Sequence, residues 1–209
     1  LIETGIDLYK LPLQEKKDIL CSCIYGIDID IHAVEVAKFS LLIKLIEDET
    51  APSVSEVVPI LPDLGDNIQF GNSLVSQTEL NGISGANRQM MEIAPFDWST
   101  INIGCWFDVI IGNPPYVNTE GMHALLPSAE VEVYKKKYKT SHKQFDKYFI
   151  FIEQAINKIN ENGLVCYIVP NKFFKIGAGE KLRNLIAKER MLVSLDDFGD
   201  AQLFEDKTI

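Results

Sequence analysis

The chain is poor in metal-binding residues. Its four cysteines are Cys21, Cys23, Cys105 and Cys166. Their spacing fits no zinc-ligand pattern, and Cys-Ser-Cys is not a thioredoxin-type pair. Three of them sit in or beside apolar runs, which predicts reduced core thiols in a cytosolic protein. The histidines His32, His123 and His142 are scattered and assemble no ligand set, so no metal is expected. No apolar run is long enough to span a bilayer. The first residues mix polar and apolar types, unlike a secretory leader. There is no internal repeat and no low-complexity tract. Positive charge is scarce too: 20 Lys and Arg face 30 Asp and Glu, for a net charge of −10. That excludes a chain-wide basic surface for phosphate backbones, whose contacts supply much of nucleic-acid affinity. Any such binding needs a local patch or residues elsewhere.

What is present is an ordinary globular composition, 46% hydrophobic and 24% charged over 209 residues. That length buries one good core and is most simply one domain. The chain begins with Leu1 rather than Met, so an excerpt from a longer protein is expected. The pattern predicts a helix over residues 11–20 and a strand over 23–29. Asp30 is the expected N-cap of a helix over 32–47. That helix is apolar almost all round and should pack on more than one side. Pro52, Pro59, Pro62 and Gly65 make 51–66 a loop, and 67–71 reads as a short strand. Residues 76–105 are polar and aperiodic, which predicts an insertion or a mobile loop. A second irregular stretch runs from 117 to about 140. Phe145, Tyr148, Phe149, Ile152, Ala155, Ile156 and Ile159 share one helical face. Gly163 is the expected left-handed stop of that helix. A strand over 164–169, a helix over 180–188 and a strand over 192–198 follow. Strands alternating with helices predict an α/β fold with a parallel sheet and right-handed crossovers.

The most informative stretch is Phe107-Asp-Val-Ile-Ile-Gly-Asn-Pro-Pro-Tyr116. An apolar run of strand length, of the kind buried in parallel sheets, stops at Gly112. Pro114 and Pro115 fix two φ angles and lack an N–H, so the loop beyond is pre-shaped. Asn113 brings an amide oxygen, and Tyr116 a flat face with a polar tip. Acceptors beside an aromatic plate suit a planar substrate with an exocyclic amino group. Asn, Gly and Pro are also ordinary turn residues. The buried strand before them favours the functional reading, because ligands of open α/β sheets bind beyond strand carboxyl ends.

A local basic patch also exists. Lys135, Lys136, Lys137 and Lys139 alternate with Tyr134 and Tyr138, and Lys143 and Lys147 follow. Such interleaving suits a nucleic-acid backbone track. It equally suits a solvated helix face.

Asn113-Pro114-Pro115-Tyr116 resembles the catalytic motif of S-adenosylmethionine-dependent amino-group methyltransferases. The longer run is similar to the N6-adenine DNA methyltransferases of type IIG restriction–modification enzymes. Four further stretches extend the resemblance in order: Gly26-Ile27-Asp28, Gly71-Asn72-Ser73-Leu74, Phe145 to Glu153, and Asp197 to Phe204. It implies a Rossmann-like class I methyltransferase sheet. Asp28 would hold the cofactor ribose with its two carboxylate oxygens. Ile29 would face the cofactor adenine. Asn72 and the Ser73 N–H would contact that ring, although many relatives carry Asp at the position of Asn72. Asp146 would lie near the cofactor; a helix-start aspartate is the simpler explanation. Asn113 and the Pro114 carbonyl would accept from the amino group of a flipped adenine, with Pro115 shaping the loop. Tyr116 would stack on that base, and Phe173 or Phe174 would close its other face.

The resemblance also has gaps. The family opens its cofactor site with a Gly-rich loop after the first strand, and no such loop precedes Tyr25. The expected fold is therefore partial. No Pro-Asp…(Asp/Glu)-x-Lys nuclease constellation is visible, and a target-recognition domain would lie beyond Ile209. The expectation is the catalytic-domain core, residues 1–209, of a bacterial or archaeal cytoplasmic DNA adenine methyltransferase, inactive or nearly so by itself. Its partners would be duplex DNA and further domains of the same polypeptide. The alternatives are a methyltransferase for protein glutamine or RNA guanine, and a non-catalytic scaffold that binds DNA or a partner.

Overall fold

The computed structural model describes residues 2–5, 8–50, 58–101, 106–188 and 191–199, with residues 2–5, 8 and 9 by backbone only. Cys105, residues 51–57 of the proline loop and residues 200–204 of the late turn lie outside the described residues. The chain divides into two compact units. The first is Leu1–Ser73 with Ala94–Ile101, and the second is Leu74–Ile93 with Asn102–Ile209.

The first unit opens with an antiparallel pair, β1 (Ile2–Gly5) and β2 (Leu8–Lys10), which the sequence pattern did not suggest. Helix α1 (Leu13–Cys23) runs past its expected end, so the next strand, β3, is only Gly26–Asp28. The buried Asn67 amide explains the longer helix. It donates to Cys21 O at 2.8 Å and Ile24 O at 2.9 Å, satisfying carbonyls at the helix end. Helix α2 (Ile31–Ile46) starts where expected, with Asp30 accepting from the His32 N–H at 2.8 Å. Strand β4 (Ile68–Phe70) lies parallel to β3, with Gly26 opposite Ile68 and Asp28 opposite Phe70. Leu13, Leu20, Val34, Leu45, Leu64 and Ile68 form the core of this unit. Helix α2 does not pack on several sides, as its sequence suggests. Val34 and Leu45 are buried, while Val36 and Phe39 remain 64% and 66% exposed.

The second unit is built on two parallel strands, β5 (Phe107–Gly112) and β6 (Ile159–Tyr167). Its helices are α3 (Ala86–Ile93), α4 (Thr119–Leu125), α5 (Ser128–Lys137), α6 (Lys147–Ile156) and α7 (Glu180–Lys188). Tyr134, Phe145, Tyr148, Phe149 and Leu182 fill the core. Much of the expected insertion at 76–105 is instead core-forming. Leu80, Ile83, Ala86 and Ile93 are buried, and Ala86, Met90 and Ile93 give the short helix α3 one apolar face. The stretch at 117–140 carries α4 and α5 instead of being irregular. Asn118 caps α4 by accepting from Gly121 N–H at 2.8 Å, and Pro127 separates the two helices.

Gly163 does not end a helix. Helix α6 stops at Ile156, and Gly163 lies inside β6. A Cβ there would sit 2.5 Å from Ile159 Cγ1 and 2.9 Å from Asp108 O. The residue is small because the neighbouring strand passes close. Residues 192–198 form no strand among the described residues. With no ladder to join, Leu192, Val193, Leu195 and Phe198 stay exposed. The thiols also differ from expectation. Cys23 and Cys166 are exposed and Cys21 is partly buried, all three free. Cys23 closes a surface helix end, and Cys166 points to the open face of β6. The described strands form three two-stranded ladders within a mixed α/β architecture. No described helix is long and apolar enough to cross a membrane.

Candidate functional site

The loop after β5 is fixed from both sides. Gly112 O accepts from Ile168 N–H at 3.3 Å, which ties the exits of β5 and β6 together. Pro114 is buried, whereas Asn113 and Pro115 are exposed. The half-buried Tyr116 turns its hydroxyl toward two oxygens, Asn113 Oδ1 at 2.5 Å and Ile168 O at 2.9 Å. The hydroxyl has one proton, so it donates to one of them at a time. Burial pushes the Tyr116 phenol up, which keeps it a neutral donor. The contact with Tyr116 turns the Asn113 oxygen, rather than its NH₂ group, toward the hydroxyl.

Opposite this loop, β6 runs into a 3₁₀ turn at Asn171–Phe174. Phe173 is 6% exposed and belongs to the core; Phe174 is 40% exposed and stacks on it with ring centroids 4.1 Å apart. Lys172, in the same turn, reaches Asp146 Oδ1 at 3.0 Å. Asp146 occupies the N-cap position of α6, yet its side chain makes no capping bond. It is buried, and the lysine supplies its counter-charge. Tyr148 lies between the two loops. Its ring is edge-on to Tyr116 and to Phe173, each at 6.3 Å, and its hydroxyl donates to Pro170 O at 3.1 Å. Burial, then the charge of Asp146, pushes the Tyr148 phenol up. The second unit therefore brings Asn113, Pro114, Pro115, Tyr116, Asp146, Phe173 and Phe174 into one structured region. The sequence pattern placed Tyr148 only on an apolar helix face. A polar-tipped aromatic there was the available signal.

The remaining cofactor candidates belong to the first unit. Asp28 ends β3 with an exposed carboxylate, whose Oδ1 accepts from Asp30 N–H at 2.8 Å. Ile29 beside it is also exposed. An open carboxylate next to an apolar side chain fits a nucleoside, with its diol and flat ring. Asn72 does not present its side chain in the same way: it is 3% exposed, and its N–H donates to Ala94 O at 2.7 Å. Ser73 O accepts from Trp98 Nε1 at 2.9 Å. Gly71 makes this turn possible, since a Cβ there would lie 2.9 Å from Phe96 Cβ. Residues 94–98 thus cover the Asn72–Ser73 turn, a role hidden in sequence by the polar stretch around them.

The lysines do not form one free track. Lys136 pairs with Glu132 at 2.6 Å, and Lys137 with Glu79 at 2.8 Å. Lys135 contacts His123 Nε2 at 3.3 Å. Lys139 is exposed. Lys147 is buried beside Glu130 at 3.5 Å, and that burial pulls its ammonium down. No group of three or more His, Cys, Asp or Glu among the described residues is arranged to hold a metal.

A parallel strand releases the Asn-Pro-Pro-Tyr loop within a mixed α/β frame, as the resemblance to methyltransferases implies. A profile of the Eco57I restriction-modification methylase family matches residues 22–204, and the chain belongs to that family. It is similar to the type II restriction enzyme and methyltransferase RM.Eco57I of Escherichia coli, at 46% identity over 96% of this chain. It is also similar to the type II methyltransferase M.PaeR7I of Pseudomonas aeruginosa (31% over 49% of this chain) and to M.BstVI of Geobacillus stearothermophilus (35% over 43%). The aligned parts cover 19%, 17% and 16% of those three proteins. The chain thus spans less than a fifth of the length of each of these three relatives.

Proposed function

We propose that this chain is the catalytic core of a restriction–modification DNA methyltransferase that transfers a methyl group from S-adenosylmethionine to adenine N6. The observation that carries this reading is the Asn113–Tyr116 loop, a fixed oxygen acceptor beside an aromatic ring at the exit of β5. The family and the names of its relatives support it. Asp28 and Ile29 would hold the nucleoside half of the cofactor in a Rossmann-like frame. Asn72, being enclosed, would act through its backbone turn.

S-adenosylmethionine supplies an electrophilic methyl group. The chain's own residues do the rest. Asn113 Oδ1 and Pro114 O accept from the amino group of an adenine turned out of the duplex. Holding those N–H bonds keeps the nitrogen lone pair available for attack. Asn113 Oδ1 is held by the Tyr116 hydroxyl and the prolines stiffen the loop, which supports a site that needs little reorganisation during reaction. Tyr116 and Phe174 offer aromatic faces to the base, each worth roughly 1–3 kcal/mol. With Lys136 and Lys137 engaged by carboxylates, Lys139 is the lysine of that patch best placed for a phosphate. The remaining DNA contacts belong to other parts of the full protein.

The test is methyl transfer from labelled S-adenosylmethionine to duplex DNA by the full-length protein, with digestion to nucleosides. N6-methyladenine is the expected product. Asn113→Ala should lower the rate roughly 100- to 1,000-fold, the usual cost of removing one pre-placed polar group from a reacting centre. Label on protein glutamine or RNA guanine, or DNA binding indifferent to both cofactor and Asn113, would refute the proposal.

A further inference from the structure

Two aromatic groups are offered to the base in the reading above, and they come from different loops. Tyr116 belongs to the exit of β5, while Phe173 and Phe174 belong to the turn after β6. A clamp made from two loops works only if something sets its opening. Tyr148 contacts both sides. Its ring stands nearly perpendicular to Tyr116 (86°) and to Phe173 (73°), at the same 6.3 Å from each. Edge-to-face pairs have a preferred distance and tilt, so such a ring acts as a spacer. The Tyr148 side chain is fully buried, and its hydroxyl holds Pro170 O, the carbonyl just before the Phe173 turn. Its backbone belongs to α6, an element separate from either loop. A second tie from the start of the same helix runs from Asp146 to Lys172 in that turn.

We propose that Tyr148 is the positioning residue that sets the gap between Tyr116 and the Phe173–Phe174 pair, and so governs how well a flipped adenine is held. This rests on the methyltransferase reading of the site. Tyr148 itself touches no substrate. It acts through the two faces it spaces, with the Asp146–Lys172 ion pair steadying the far side.

The test uses the full-length protein and a cognate duplex carrying 2-aminopurine at the target adenine. Its fluorescence rises when the base leaves the stack. Tyr148→Phe keeps the ring and removes the hydroxyl's bond to Pro170 O together with its backbone contact to Phe173. It should lower the fluorescence gain and the single-turnover methylation rate about 3- to 10-fold, the value of a buried hydroxyl's hydrogen bonding. S-adenosylmethionine affinity and melting temperature should stay close to wild type. Lys172→Met should act in the same direction, and Lys172→Arg should restore function. Should Tyr148→Phe flip and methylate like wild type, the role is overturned. A parallel loss of cofactor binding, flipping and thermal stability would also overturn it, by showing a general packing role. A wild-type protein with neither adenine methylation nor a fluorescence rise would instead bring down the functional reading beneath it.

Discussion

Gly177 and Gly179 sit two residues apart in one 3₁₀ turn, and the structure assigns them opposite tolerances for a methyl group. A Cβ on Gly177 would meet nothing nearer than Lys143 Nζ at 3.8 Å. A Cβ on Gly179 would lie 2.1 Å from Phe173 O and 2.9 Å from Arg183 Nη1. Phe173 O already accepts from Arg183 Nη1 at 2.5 Å, so the intruding methyl would break a charge-assisted bond as it moved the turn. Overpacking costs about 1–3 kcal/mol. Loss of the arginine bond adds about 1.5 kcal/mol or more. For Gly179→Ala we expect a total near 3 kcal/mol, which at roughly 2–4 °C per kcal/mol lowers the melting temperature by about 6–12 °C. Gly177→Ala restricts only the unfolded chain and should stabilise by about 0.4–1 kcal/mol. The assay is thermal unfolding of both variants followed by far-UV circular dichroism. Equal melting temperatures for the two would refute the argument, because it depends entirely on what surrounds each glycine.

Asp28→Ala should weaken S-adenosylmethionine binding roughly 10- to 100-fold in calorimetry, the worth of a hydrogen-bonded carboxylate; an unchanged affinity would remove Asp28 from the cofactor site. The protein should also lose stability in alkali. Burial pushes the Tyr138 and Tyr148 phenols well up, and Tyr167 up to about 12. The unfolded chain ionises its tyrosines near pH 10. Stability from these groups is therefore complete below that pH and drains away as pH climbs toward the folded values. Lys147 works in the opposite sense. Its folded pKa lies below 10.5, so its penalty fades as pH approaches 10.5. Four raised phenols, Tyr116 included, outweigh one lowered ammonium, and the melting temperature should fall from pH 10 to 12. Absorbance at 295 nm should complete its rise only as circular dichroism is lost. A full rise near pH 10 with the fold intact would contradict the burial argument.

The parts of the fold legible in sequence were those governed by local chemistry. Asp30 before an apolar run fixed the start of α2, and the Phe107–Gly112 run marked β5 directly. What stayed hidden depended on partners remote in sequence. Gly163 looks like a helix stop until Asp108 O is seen against it. Helix α4 is short, α5 has no one-sided apolar face, and the Ala86, Met90 and Ile93 spacing of α3 lies within a polar stretch; their burial comes from neighbours elsewhere in the chain. Residues 192–198 have strand composition, but composition cannot supply a pairing strand. In the candidate site, Asn113 and Tyr116 were readable because the prolines shape their loop locally. The enclosure of Asn72 under residues 94–98, and the pairing of Lys136 and Lys137 with Glu132 and Glu79, required the folded chain. Lysine spacing along a helix is the same whether its heads are solvated or engaged.

The single proton of the Tyr116 hydroxyl has a further consequence. In the chain as it stands, Asn113 Oδ1 and Ile168 O compete for it. An N–H donor arriving at Asn113 ends that competition. Rotation about the phenolic C–O bond then hands the proton to Ile168 O, already 2.9 Å away, while the ring and its plane stay where they were. Two oxygens that shared one donor become two oxygens with one each. Docking of an amino group at Asn113 therefore adds a hydrogen bond to the loop without breaking one, and the only part that must move is a hydrogen atom.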